Sequence, residues 1–157
     1  MICEAGRGVA LLALLPATRA NNLVISARLA DKGVAMHRPQ LSVVIPCYNE
    51  AGTLPLLHER VSAAAKAVVG DDHEIVLVND GSRDNSWAIM RQLAAADPRV
   101  VAINLSRNHG HQLALTAGLD LCGGEQILIL DADLQDPPEL LGEMREAMAR
   151  EEADVVY

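Results

Sequence analysis

Short runs of branched aliphatic residues alternate with longer segments of helical periodicity through most of this chain. The runs occupy residues 41–45, 74–78, 100–105 and 127–130. Largely apolar runs of this length are typical of strands that are buried on both faces of a sheet. Because both faces of such a sheet must be covered, the pattern narrowly limits the folds that are available.

Between these runs, apolar residues recur with the period of an α-helix. In residues 53–69, for example, Leu54, Leu57 and Val61 fall on one helical stripe. Further helices are predicted after the second, third and fourth runs. Strands that alternate with helices imply right-handed crossovers and parallel strand pairing. The sequence therefore predicts an α/β fold in which a mostly parallel sheet is flanked by helices.

Residues 1–39 differ from the rest of the chain in pattern and charge. They lack a convincing period and hold five basic and two acidic residues, whereas residues 40–157 hold 8 basic and 19 acidic residues. We interpret residues 1–39 as a poorly ordered extension and residues 40–157 as the folded domain. Two alternatives stay open: a secretory leader with an apolar run at residues 9–15, and a true start at Met36.

The composition excludes several classes of protein. A chain of 157 residues, half of them hydrophobic, suffices for one domain. Its net charge of −8 does not attract nucleic acid, and three aromatic residues do not build a base-stacking surface. Three cysteines without a C-x-x-C pair indicate free thiols, which fit a reducing cytosol. No apolar run approaches the ~20 residues that cross a bilayer.

Two aspartates directly follow the fourth apolar run. Ligands of open α/β sheets collect at the carboxyl ends of the strands, where Asp131 and Asp133 would emerge. Side chains two residues apart in extended backbone point the same way, and Gln135 could add a neutral oxygen. This all-oxygen set favours Mg²⁺ or Mn²⁺ and disfavours zinc.

The ends of the other strands carry polar residues that should meet at the same edge. The sequence has neither a G-x-G-x-x-G nor a P-loop motif, which argues against a dehydrogenase or a P-loop NTPase. Two carboxylates repel a diphosphate, by about 4 kcal/mol for each contact at ~4 Å in an effective dielectric near 20. A divalent ion between them reverses the sign and assists a departing diphosphate. We therefore predict metal-dependent transfer from a diphosphate-activated donor.

Four segments resemble the successive signatures of family-two glycosyltransferases with the GT-A fold. They read VVIPCYNE at 43–50, VNDGSRD at 78–84, LSRNHGH at 105–111 and LDADLQDPP at 130–138. The last two are similar to those of the polyprenyl-phosphate glycosyltransferases, the dolichyl-phosphate mannose synthase group. The resemblance covers residues 41–157 and implies a Rossmann-like half that binds a nucleotide sugar.

The resemblance also implies roles for residues that bind the nucleoside. Pro46, Tyr48 and Asp80 would line the nucleobase pocket, with Asp80 accepting a hydrogen bond from a base N–H. Glu50 would hold the ribose. For Tyr48 and Glu50, an ordinary solvated loop stays open as the alternative.

A second set of implied roles concerns the diphosphate and the ion. Asp133 and Gln135 would hold the ion on the diphosphate, and Asp131, near sugar and ribose, is left open as a third ligand. Asp131 and Asp133 are thus the predicted catalytic residues. Arg107 would face phosphate, although a surface salt bridge is an open alternative. We interpret the histidines of the 105–111 segment as a helix start rather than a metal pair.

The implied reaction is displacement at the anomeric carbon by a lipid phosphate oxygen, with inversion. A phosphate acceptor is already anionic, so no strong general base is required. The resembling family continues beyond this sequence with acceptor contacts and membrane-associated helices, which implies work at the cytoplasmic face of a membrane. Two alternatives for the function stay open: a non-catalytic nucleotide-binding module, and transfer to a polysaccharide acceptor. Assembly as a homo-oligomer is a separate open point.

Overall fold

A computed structural model describes residues 38–157 and the backbone of residues 11–14. Six strands form one sheet in the order β4-β3-β2-β5-β1-β6. The strands are β1 (Leu11–Leu14), β2 (Leu41–Cys47), β3 (His73–Asn79), β4 (Val100–Asn104), β5 (Gln126–Ile129) and β6 (Val155–Val156). Strands β2 to β5 pair in parallel, whereas β1 is antiparallel to both β5 and β6. The predicted α/β fold with a mostly parallel sheet is confirmed.

Four helices connect the strands. They are α1 (Leu54–Val69), α2 (Ser86–Ala96), α3 (His111–Leu121) and α4 (Leu141–Glu151), and a 3₁₀ turn at Pro138–Leu140 precedes α4. A helix follows each of β2, β3, β4 and β5, as predicted, so the carboxyl ends of these four strands lie at one edge of the sheet. We call it the carboxyl-terminal edge, and the loops that leave it the exit loops.

The sheet separates two layers of apolar packing. Alternate residues of a strand point to opposite faces, and Val43 and Ile45 accordingly pack with α1, α2 and α4. Val44, between them, packs on the other side with residues of α3. Helix α3 approaches the sheet closely at Gly118, where a Cβ would meet the Val44 side chain. Full burial of β2 explains why its sequence is apolar apart from Ser42.

Pro46 lies inside β2, although the sequence suggested that the strand ends before it. A proline lacks the N–H that a central strand normally donates. Residue 46 faces the same neighbour as Val44, whose carbonyl accepts a hydrogen bond from Leu130 just past the end of β5 (3.2 Å). The missing N–H faces Leu130, directly past the last residue of β5, so the hydrogen-bond ladder between β2 and β5 ends there while β2 continues along β3.

Strand β1 belongs to the predicted extension, residues 1–39, where the sequence pattern predicts no strand. The remaining predictions for residues 1–37, which include the leader and the start at Met36, lie outside the described residues. The division of the chain at residue 39 thus stays a prediction. Among the described residues, no helix is both long and apolar enough to cross a bilayer.

Candidate active site

Hydrogen bonds join the exit loops of β2 and β3. The Asn49 backbone N–H donates to the Ser82 hydroxyl (3.0 Å), and the Arg83 N–H donates to the Asn49 side-chain oxygen (2.8 Å). Asn49 has a positive φ of 59°, which asparagine tolerates better than most residues. These reciprocal contacts hold the segment containing Tyr48 and Glu50 against the next loop.

Asp84 and Ser86 complete this connection. Asp84 accepts hydrogen bonds from the Ala51 N–H (3.1 Å) and from the N–H and hydroxyl of Ser86 (2.9 and 2.6 Å). Ser86 in turn accepts the Glu50 N–H (2.8 Å). Burial alone would raise the pKa of Asp84, but these hydrogen bonds lower it below its ordinary value. Asp84 therefore remains ionised and holds two loops together.

The Glu50 side chain is positioned at the start of α1. Its carboxylate accepts a hydrogen bond from the Thr53 hydroxyl (2.9 Å), and its backbone carbonyl accepts the Thr53 N–H (3.1 Å). Glu50 is half-buried. One carboxylate oxygen is thus engaged locally.

Asp80 joins the exit loops of β3 and β4. One carboxylate oxygen accepts the backbone N–H of His109 (2.7 Å), and the other accepts that of Gly110 (2.9 Å). The residue is only 3% exposed. A carboxylate oxygen can accept two hydrogen bonds, so each oxygen retains one site for a ligand. Between the same strands, the Asn79 amide donates to Asn104 (2.6 Å).

Three aspartates lie in the exit loop of β5. Asp131 is partly exposed and Asp133 is exposed. Burial raises the pKa of Asp136, and the charges of Asp131 and Asp133 raise it further. Asp133 accepts the Gln135 N–H (3.0 Å), and Leu134 between them has a positive φ of 62°. Strained backbone of this kind clusters at functional sites.

The β5 loop suits a hard cation. One carboxylate oxygen of Asp136 is buried without a hydrogen-bond partner. A positive charge nearby would give this oxygen a partner and would also reduce the electrostatic repulsion from Asp131 and Asp133. Within residues 38–157 and 11–14, no three His, Cys, Asp or Glu side chains form a metal-binding group. Mg²⁺ is usually held by one or two carboxylates, and waters and substrate phosphates complete its coordination shell.

The structure connects several of the predicted site residues through one segment. His109 and Gly110 bond to Asp80, and the next residue, His111, places its Nε2 2.9 Å from Asp131. The loops of β3 and β5 thus meet through the start of α3. Tyr48 and Arg107 are exposed in their exit loops, whereas Pro46 is buried in β2.

Sequence reasoning missed two features of this region. It placed His111 at a helix start, which is correct, but gave no reason for its contact with Asp131. It assigned no role in the site to Asp84, whose partners include the loop after β2. Both contacts join residues 20 or more positions apart, and no local pattern signals such a pair.

A cavity of about 710 Å³ lies elsewhere, between α1 and α4. Its lining includes Val68, Arg145 and Gln126, the first residue of β5. It is therefore at the opposite edge of the sheet from the exit loops. No predicted site residue lines it.

Comparison with solved structures defines the class of fold. The mannosyltransferase PcManGT from Pyrobaculum calidifontis, in complex with GDP-Man and Mn²⁺, superposes with a TM-score of 0.57 at 28% identity. The match covers 73% of this chain and 33% of that protein. The chain has the GT-A fold of the glycosyltransferases.

Sequence comparison then gives the family. The model of glycosyl transferase family 2 matches residues 42–157. The glycosyltransferase YkcC of Bacillus subtilis, described as uncharacterized, is 45% identical over 118 residues, 75% of this chain and 36% of that protein. An undecaprenyl-phosphate 4-deoxy-4-formamido-L-arabinose transferase of Pseudomonas fluorescens is 46% identical over 110 residues, 69% of this chain and 32% of that protein. The chain belongs to glycosyltransferase family 2, and it spans about a third of the length of these two relatives.

Proposed function

We propose that this chain forms the donor-binding part of a metal-dependent, inverting glycosyltransferase whose acceptor is a polyprenyl phosphate. The observation that supports the proposal is the meeting of the β3 and β5 exit loops, where residues 109–111 contact both Asp80 and Asp131. A relative that is 46% identical is named for transfer to undecaprenyl phosphate, which supports a lipid phosphate as the acceptor.

Residues of the β2 and β3 loops would bind the nucleoside. The exposed Tyr48 ring is available to a base, and the remaining acceptor site on each Asp80 oxygen is available to a base N–H. Glu50, fixed by Thr53, would accept from ribose hydroxyls. Buried Pro46 would support this pocket from beneath rather than through an exposed surface.

Residues of the β5 loop would bind the diphosphate end of the donor. Asp133 and Gln135 would hold a Mg²⁺ or Mn²⁺ ion, with Asp131 beside them and Arg107 facing phosphate. When bound, the ion supplies positive charge that stabilises the departing diphosphate. The structure of PcManGT with GDP-Man and Mn²⁺ supports a divalent ion as the cofactor of this fold.

The reaction is a single displacement. An oxygen of the acceptor phosphate forms a bond to the anomeric carbon while the bond from that carbon to the diphosphate breaks, and the nucleoside diphosphate leaves with the electron pair. Because the acceptor oxygen is already anionic, no residue of this chain has to remove a proton from it. Asp131 and Asp133 act by holding the donor in place.

A lipid acceptor requires the whole protein to act at a membrane. We place the protein at the cytoplasmic face, to which a further region or a partner would attach it. Cys47 and Cys122 are both free thiols, which suits a reducing compartment. We also propose that the protein associates with itself, and sedimentation would test this.

A second candidate function is donor binding without turnover. It needs only the nucleoside and diphosphate residues named above and no acceptor site. Incubation of the chain with Mn²⁺, labelled nucleotide sugars and polyprenyl phosphate separates the two functions. Labelled lipid supports transfer, whereas donor binding without labelled lipid supports the second candidate.

A binding measurement tests the site itself. Asp133→Ala should abolish Mn²⁺-dependent binding of nucleoside diphosphate in calorimetry while leaving the circular dichroism spectrum unchanged. Asp120→Ala, which removes an exposed carboxylate from α3, is the matched control and should bind as the parent does. Unchanged affinity of the Asp133 variant would overturn the assignment.

A further inference from the structure

His111 makes a contact to which the proposed function gives no chemical role. Its Nε2 lies 2.9 Å from one carboxylate oxygen, Oδ1, of Asp131. A carboxylate oxygen has no proton to give, so the imidazole N–H is the donor. The contact joins the first residue of α3 to the exit loop of β5, 20 positions along the chain.

The position of His111 is fixed by its neighbours. The residue before it, Gly110, has a φ of 90°, which favours glycine, and donates its N–H to Asp80. His109 donates its N–H to the other oxygen of the same carboxylate. Since Asp80 is buried at the end of β3, it holds the start of α3 in place. Helical geometry from Gly110 onward then delivers the imidazole to Asp131.

We propose that His111 is a positioning residue of the cation site, acting through Asp131. The last side-chain torsion of an aspartate is broad, and donation to Oδ1 restricts it. Hydrogen bonds that orient the carboxylates of a metal site typically change metal affinity by about 10-fold to 100-fold. The inference rests on the proposed function, because it assumes that Asp131 faces the ion and diphosphate.

A purely structural role accounts poorly for this contact. Both side chains are substantially exposed, His111 by 51% and Asp131 by 34%. Exposed pairs of this kind contribute little to the stability of a fold. Loss of the imidazole should therefore leave the urea midpoint of unfolding unchanged within error, while ion binding weakens.

Calorimetry with matched variants tests the inference. Mn²⁺ is titrated into the protein at about pH 8 with saturating UDP or GDP, whichever the parent chain binds. His111→Ala should weaken Mn²⁺ binding by about 10-fold. His111→Gln, which places an amide N–H at a similar reach, should restore most of the affinity. Gln112→Ala, a loss of an exposed polar side chain one residue away, should bind as the parent does.

Each other outcome has a definite meaning. Equal or tighter Mn²⁺ binding by His111→Ala would overturn the inference and leave the proposed function standing. A His111→Gln variant as weak as His111→Ala would also overturn it, because the imidazole would then contact the ion directly. Absence of Mn²⁺-dependent nucleotide binding in the parent chain would overturn the proposed function, and this inference with it.

Discussion

Gly81 lies directly against the backbone at Asn108. A Cβ built on Gly81 would come within 2.5 Å of the Asn108 nitrogen, and the glycine has a φ of +65°. The exit loops of β3 and β4 can therefore approach each other only because residue 81 has no side chain. The same approach brings the N–H groups of His109 and Gly110 to the Asp80 carboxylate.

We accordingly expect Gly81→Ala to destabilise the fold. The left-handed backbone alone costs about 1–2 kcal/mol for an alanine, and the backbone of the neighbouring loop cannot move aside as a flexible side chain would. Urea unfolding measures the loss. Gly52→Ala is the control, since nothing lies within 4 Å of a Cβ there, and a similar loss in both variants would contradict the explanation.

Asp80→Asn should loosen the loop that precedes α3. An amide offers one acceptor oxygen where the carboxylate offers two, so one of the two backbone N–H groups loses its hydrogen bond to residue 80. The Gly110 N–H has a second acceptor in the Asn108 side chain (3.1 Å). Loss of a hydrogen bond to a charged group costs about 1.5–3 kcal/mol. Hydrogen exchange should become faster at His109 or Gly110, while amides within β3 keep their protection. Unchanged exchange at both amides would show that Asp80 does not hold this loop.

Asp97 should make stability depend on pH in the acid range. Its carboxylate accepts hydrogen bonds from the Arg99 guanidinium (2.9 and 3.1 Å), which lower its pKa to about 2. An unfolded aspartate has a pKa of about 4, so the depressed value stabilises the fold by about 2 kcal/mol above that pH. The stabilisation should disappear as the pH falls from about 4 to about 2.

Urea unfolding of the parent chain and of the Asp97→Asn variant across this pH range checks the direction of the effect. The difference between their free energies of unfolding should be constant above about pH 5 and should shrink as the Asp97 carboxylate becomes protonated. A difference that stays constant down to the lowest pH would mean that the charge of Asp97 contributes nothing.

The two described cysteines should resist alkylation in the folded protein. Burial, followed by the charge of Glu50, raises the pKa of Cys47 to about 12. Burial, followed by Glu74, raises that of Cys122 to about 11. At pH 8 only about one Cys47 thiol in ten thousand is then a thiolate, the reactive form.

Peptide mapping after treatment with iodoacetamide measures this resistance. Both cysteines should be labelled slowly in buffer and rapidly in urea, where burial is lost. Fast labelling of Cys47 in the native protein would contradict its burial in β2.

Residue types and their spacing were enough to predict the alternation of strands and helices, the shared edge, and the acidic loop after β5. Each of these rests on local periodicity or on the handedness of crossovers, which short stretches of sequence encode. Pro46 was placed outside its strand because a proline normally ends one. Only the register shows that its missing N–H faces the end of β5, while residues on either side of it still pair with β3.

Tertiary structure decided which polar residues touch. The pairs join residues of one exit loop to residues of another, or to the helix start that follows it: Glu50 with Ser86, Asp84 with Ala51, Asp80 with Gly110, and His111 with Asp131. The sequence determined that such residues would emerge at one edge. Their pairing depends on distances of a few ångströms between loops, which are set by the packing of helices on the sheet and by close approaches such as that of Gly81.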